Sequence, residues 1–188
     1  MTGLITMIRG LNDAVFGFIE RVTDGWFLGL AARFVFAAVL YFYYLNSALT
    51  KVGEGFLGFF QISDGAYFQI AGTAVEAAGY DPAAVAFFPW GLLVFVGTYA
   101  EFILPLLIVV GLFSRVAAAG MIGFVIVQSL TDVYAHQIGA ESTGKLFDRL
   151  PDSLILDQRL LWIFVLTVIV IKGGGKISLD HLFFRSAK

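Results

Sequence analysis

Glu101 lies inside the apolar run from Trp90 to Val110, and Arg33 inside another, from Trp26 to Leu49. An ionised side chain in hydrocarbon costs at least about 2.5–3.5 kcal/mol on insertion scales, so each needs a partner. A guanidinium and a carboxylate can relieve one another through a bidentate pair. Counted at 1.5 Å per residue, Arg33 sits about 10 Å and Glu101 about 14 Å from one membrane face, provided the two runs cross in opposite senses. The expectation is an Arg33–Glu101 contact. It reads either as a clamp between two helices or as the charged part of a binding site in which Glu101 exchanges protons. Pro105, four residues on, withholds the amide that would bond the Glu101 carbonyl, which predicts a kink and extra polarity there. Tyr41 and Tyr44 fall on roughly the Arg33 face, two and three turns higher, where they can line a pocket for a flat apolar headgroup.

A second polar set gathers toward the opposite end of the same runs. Gln128, Asp132 and His136 recur at steps of four, one stripe of one helix. Asp157, Gln158 and Arg159 open the last apolar run, and Asn46, Ser47 and Lys51 close the first. In a bundle these ends converge into an outward-opening cluster. An aspartate and a histidine one turn apart offer two metal ligands but no third, so no metal is assigned. Asp132 reads equally as a salt-bridge partner of Arg159 or Lys51, His136 as an interfacial residue, and the cluster as a polar small-ligand site.

The elements that must position these residues are membrane helices. The 188-residue chain is 59% hydrophobic and 14% charged, against about 45–50% and 25% in soluble domains. Its length suits one domain. Four runs approach the roughly 20 residues that cross about 30 Å of hydrocarbon: 26–49, 87–110, 114–134 and 156–172. Unpaired backbone groups find no water there, and the alternation of barrel strands is absent, so the runs are helices. Gly111, Leu112 and Phe113 alone separate the second and third, which makes them an antiparallel hairpin. The predicted fold is all-α: a four-helix transmembrane bundle with a short helical outer loop over 65–78. Residues 1–25, with Leu4, Ile8, Leu11, Val15, Phe18 and Val22 at helical spacing, read as an amphipathic interfacial helix, and 173–188 as a tail. Asp81 and Pro82 read as the cap and first residue of the second span.

Basic residues orient the bundle. Arg9, Arg21, Arg115, Lys172, Lys176, Arg185 and Lys188 fall on one side, against Lys51, Lys145, Arg149 and Arg159 on the other. The positive-inside rule puts both termini in the cytoplasm of a bacterial-type inner membrane. A net charge of -2 gives no basic field for nucleic acid. The absence of cysteine removes disulfides, thiol nucleophiles, cysteine-ligated iron–sulfur clusters and covalently attached haem. The two histidines, His136 and His181, fall at opposite ends of this topology, where they cannot share a haem. Small residues Ala117, Ala118, Ala119, Gly120 and Gly123 allow close helix approach, within the chain or across a homodimer.

The stretch from Glu101 through Pro105, Gly111, Ser114 and Arg115 resembles the second-to-third helix hairpin of the DoxX family of small integral membrane proteins. The segment Gly173-Gly-Gly-Lys176-Ile-Ser178-Leu-Asp180 is similar to that family's glycine-rich exit from the last helix, and Arg33 and Lys51 also fit. The resemblance covers roughly residues 26–183. It implies a four-helix membrane subunit that handles quinone or supports a redox-enzyme partner, with no cofactor certain and quinone the candidate. On that reading Arg33, Tyr44 and Glu101 stand near the headgroup. Two other readings stay open: a ligand-free scaffold or anchor, and a transporter for a small solute or metal ion running from the outer cluster towards Glu101.

Overall fold

The computed structural model describes residues 2–184, the side chain of Thr2 excepted. Arg185 and Lys188, counted in the charge reading, and the end of the 173–188 tail lie outside the described residues. The fold is all-α. Four helices are long and apolar enough to cross a membrane: span one, Phe27–Leu49; span two, Phe87–Val110; span three, Ser114–Ala135; and span four, Leu154–Lys172. These match the apolar runs of the sequence to within two residues. The N-terminal helix, Thr2–Thr23, carries its apolar residues Leu4, Ile8, Leu11, Val15, Phe18 and Val22 exposed.

The bundle core draws on Phe36, Leu40 and Tyr44 of span one, Ile108 of span two, Met121 and Val125 of span three, and Leu166 and Ile169 of span four. Lipid tails are as apolar as these side chains, so packing rather than water exclusion holds the helices together. Ala117 and Ala118 are buried in that core, the close approach that small residues permit. In span one the core positions step by four, Phe36, Leu40, Tyr44 and Ala48. An α-helix drifts about 40° per such step. A wide π turn at Ala37–Tyr41 holds back the drift and keeps all four inward.

The hairpin between spans two and three is locked from two sides. Gly111 takes the left-handed conformation at φ +74°, and the Leu112 amide reaches back to the Leu107 carbonyl at 2.9 Å, which closes span two. A Cβ on Gly111 would stand 2.6 Å from Ser178 Cβ and 2.8 Å from Arg33 Cζ, so only glycine fits. Asp180, from the segment after span four, accepts from the amides of Phe113 and Ser114 at 2.6 and 2.8 Å and caps span three. A carboxylate suits the positive end of that helix.

The connection from span one to span two folds back on the bundle. The Ser63 amide donates to the Lys51 carbonyl, and Val52 bridges Ile62. The loop helix Asp64–Ala77 packs Ala66 and Ala71 against Val94 of span two. Asp81 and Pro82 differ from expectation: Asp81 caps a separate single turn, Pro82–Ala84, with Val85 extended before span two begins at Phe87. Span two runs helical through Pro105 to Val110.

Candidate functional site

Span two turns Val94, Thr98, Glu101, Pro105 and Ile108 inward, at steps of three and four. Glu101 is therefore aimed at span one, as the sequence requires, but it does not meet Arg33. Its Oε2 accepts from Lys51 Nζ at 2.8 Å, with side chains 5% and 3% exposed. Lys51 Nζ also donates to the Ser47 hydroxyl and carbonyl at 2.7 and 3.1 Å. Lys51 follows the last turn of span one, and the returning loop holds its backbone, so its side chain points back into the bundle.

The expected Arg33–Glu101 pair is corrected by the partners of Arg33. Its guanidinium donates to four carbonyls: Ile108 and Val109 at the end of span two, and Gly174 and Ile177 of the glycine-rich exit. Arg33 thus lies level with Ile108, about 10 Å along span two from Glu101. The depth estimate from sequence treated Trp26 and Val110 as level. Span one instead begins beyond the end of span two, and the exit turn fills the space beneath. A helix C-terminus offers unpaired carbonyls and partial negative charge, which a five-donor guanidinium matches better than one carboxylate does.

Around the Lys51–Glu101 pair opens a cavity of about 660 Å³ between spans two and three. Its polar lining comprises Tyr43, Ser47, Lys51, Glu101, Gln128, Asp132, His136 and Arg159, and Gln69 and Ile70 of the loop helix cover one end. The rest is apolar or small, including Val96, Gly97, Ala100, Leu104, Gly123, Phe124 and Val127. This size suits a single-ring ligand with part of a tail.

The second polar set is largely brought together. Arg159 pairs with Asp132 and donates to the Ser129 hydroxyl at 3.1 Å, joining two π turns, Thr131–Ala135 and Leu154–Arg159. Arg159 is 2% exposed, and its Nε has no hydrogen-bond partner. Gln128 is held between two phenols, donating to Tyr43 Oη at 3.1 Å and facing Tyr44 Oη at 3.5 Å. His136 Nε2 meets the Gln69 carbonyl at 3.1 Å. Among the described residues no three of His, Asp and Glu converge as a metal site.

Four candidates fall elsewhere. Asn46 is exposed and off the cavity. Asp157 caps span four in a reciprocal exchange with Ser153. Tyr44 is fully buried in the core, and Tyr41 packs edge-on against Phe42. Tyr43 lines the cavity instead. Sequence reasoning placed Ser47 in the outer cluster but missed Tyr43, Gln69 and Phe124. A pattern count from Arg33 starts from a residue that lies away from the cavity, and the fold-back of the loop onto the bundle has no local signature. Comparison of the chain with protein-family models, with curated proteins and with solved structures returns no match, so the likeness to DoxX proteins rests on the residues quoted for it.

Proposed function

We propose that the chain is a DoxX-like membrane subunit that holds a quinone beside Lys51 and Glu101 and serves a redox-enzyme partner. On this reading it sits in a bacterial-type inner membrane with both termini cytoplasmic. The observation that carries the proposal is a buried, hydrogen-bonded ion pair exposed to a ligand-sized cavity at membrane depth. Ionisable groups placed so in a membrane protein are a functional-site signal by default.

The donor set suits a quinone ring. Tyr43 Oη can donate to a ring carbonyl, as can Lys51 Nζ on releasing one of its Ser47 contacts; Glu101 can take a proton from a ring hydroxyl or return one to a ring oxygen, and Phe124 and Tyr43 offer aromatic faces. A bound quinone would supply the electron-carrying chemistry, with its electrons coming from the partner. The chain's own residues bind the ring, orient it and move protons at Glu101.

The scaffold reading draws support from a different observation. Arg33, Gly111 and Asp180, which belong to the motifs behind the family likeness, are occupied in holding the hairpin and the exit turn together. The two readings part on binding. Titration of ubiquinone into the purified full chain in lipid nanodiscs should show saturable binding that Glu101→Gln weakens strongly. Equal binding by parent and variant would remove Glu101 from the site, and no saturable binding by the parent would favour the scaffold.

A further inference from the structure

We infer that this cavity is loaded sideways from the hydrocarbon, through a slot between spans two and three, and that the ligand's apolar tail lies over Gly123. The inference deepens the quinone reading and rests on it for the identity of the head.

Three observations carry it. The rim of the slot is apolar at mid-span, with Val96 and Ala100 on one side and Gly123 and Val127 on the other, and Val96, Gly123 and Val127 are exposed. The helices close up towards the hairpin, where Leu104 lies over Gly120; a Cβ there would stand 3.2 Å from its methyl carbons. Towards the loops the cavity is roofed. His136 of span three meets the Gln69 carbonyl of the loop helix, and Ile70 of that helix sits so close to Gly97 that a Cβ would be 3.3 Å from its methyl group. The slot is thus shut at both ends and open in the middle, at the level of the lipid tails.

The chemistry of the walls orders the ligand. The ion pair lies inside and the apolar rim outside, so a molecule that fits both carries its polar ring inward and leaves its chain at the mouth. Gly123 is where the structure leaves space for that chain: a Cβ added there meets nothing within 4 Å. A leucine at this position would put its side chain into the tail seat, and its Cβ displaces no protein atom. It also replaces glycine in a helix interior, which does not weaken the helix.

Gly123→Leu is therefore the test, with ubiquinone-2 as the tailed probe and tailless ubiquinone-0 as the control, both titrated into the full chain in nanodiscs. The tailed probe should bind about tenfold more weakly, the loss expected from two displaced methylene groups, while the control stays within about twofold. Equal loss of both probes, or no loss of either, would overturn the inference. If the parent chain binds neither probe, the quinone reading fails and the slot is judged separately. The chain has no cysteine, so Gly123→Cys carries a single nitroxide label. Relaxation of that label dominated by dissolved oxygen supports an opening to hydrocarbon; relaxation dominated by a water-soluble nickel chelate overturns it.

Discussion

The Lys51–Glu101 pair permits a double-mutant cycle that separates charge burial from ligand binding. The two groups meet at 2.8 Å with side chains 3% and 5% exposed, so neither can turn to water when the other is removed. Glu101→Gln leaves the ammonium with neutral oxygens only and no counter-charge, and Lys51→Met leaves the carboxylate without its cation. Breaking one side of a buried pair costs about 3–5 kcal/mol, whereas replacing both sides with apolar residues of similar volume is often close to neutral. Lys51→Met with Glu101→Leu should therefore lie within about 1–2 kcal/mol of the parent, far from the sum of the singles. Reversible unfolding in mixed micelles by dodecyl sulfate, followed by far-ultraviolet circular dichroism, reads all four proteins. Singles that cost under about 1 kcal/mol, the value of a solvent-exposed pair, would refute the burial argument. A double variant as unstable as the two singles combined would refute the coupling.

The Arg33 arrangement predicts that Arg33→Lys is not conservative. A lysine keeps the charge but cannot span four carbonyls, and loss of two charge-assisted bonds at about 1.5–3 kcal/mol each should cost roughly 3 kcal/mol or more by the same unfolding assay; a cost below about 1 kcal/mol would show that the fork is not needed. Asp180→Ala removes both acceptors at the start of span three and should cost about 1–2 kcal/mol, with no change in ubiquinone binding because the cap lies at the far end from the cavity. Single cysteines replacing Arg115 and Phe147, in a chain that has none, should react with a membrane-impermeant maleimide from opposite sides of the membrane; labelling of both from one side would reverse the topology reading.

The spans were legible because lipid imposes one strong rule on composition and length, and the three-residue turn at Gly111 fixed one antiparallel pair. The polar stripe of span three was legible too, since a step of four survives any choice of neighbour. The pairing of charges was not. Depth counted from the ends of apolar runs assumes that those ends are level, and Arg33 shows an offset of about one and a half turns between the start of span one and the end of span two. Lys51 reads from sequence as part of the outer polar cluster, past the last apolar position of span one and a partner for Asp132; the return of Ser63 onto its carbonyl turns it inward to Glu101, and that contact is made by residues twelve positions apart in a loop. A reading that matched donors to acceptors would have come closer. A guanidinium has five donors, and the Gly173–Gly175 turn beside a helix C-terminus offers several carbonyls without side chains to shield them. The tyrosines were misplaced because their positions were counted from Arg33, which does not line the cavity.

The most direct measurement is to lift the protein out of its native membrane in a polymer-bounded lipid disc, without detergent, and identify by mass spectrometry what accompanies it. The parent chain should carry a quinone above the level of the surrounding lipid, and the folded Lys51→Met, Glu101→Leu double variant should carry none above that level. The same quinone content in both proteins, or none in either, would contradict a quinone seat at the buried ammonium and carboxylate.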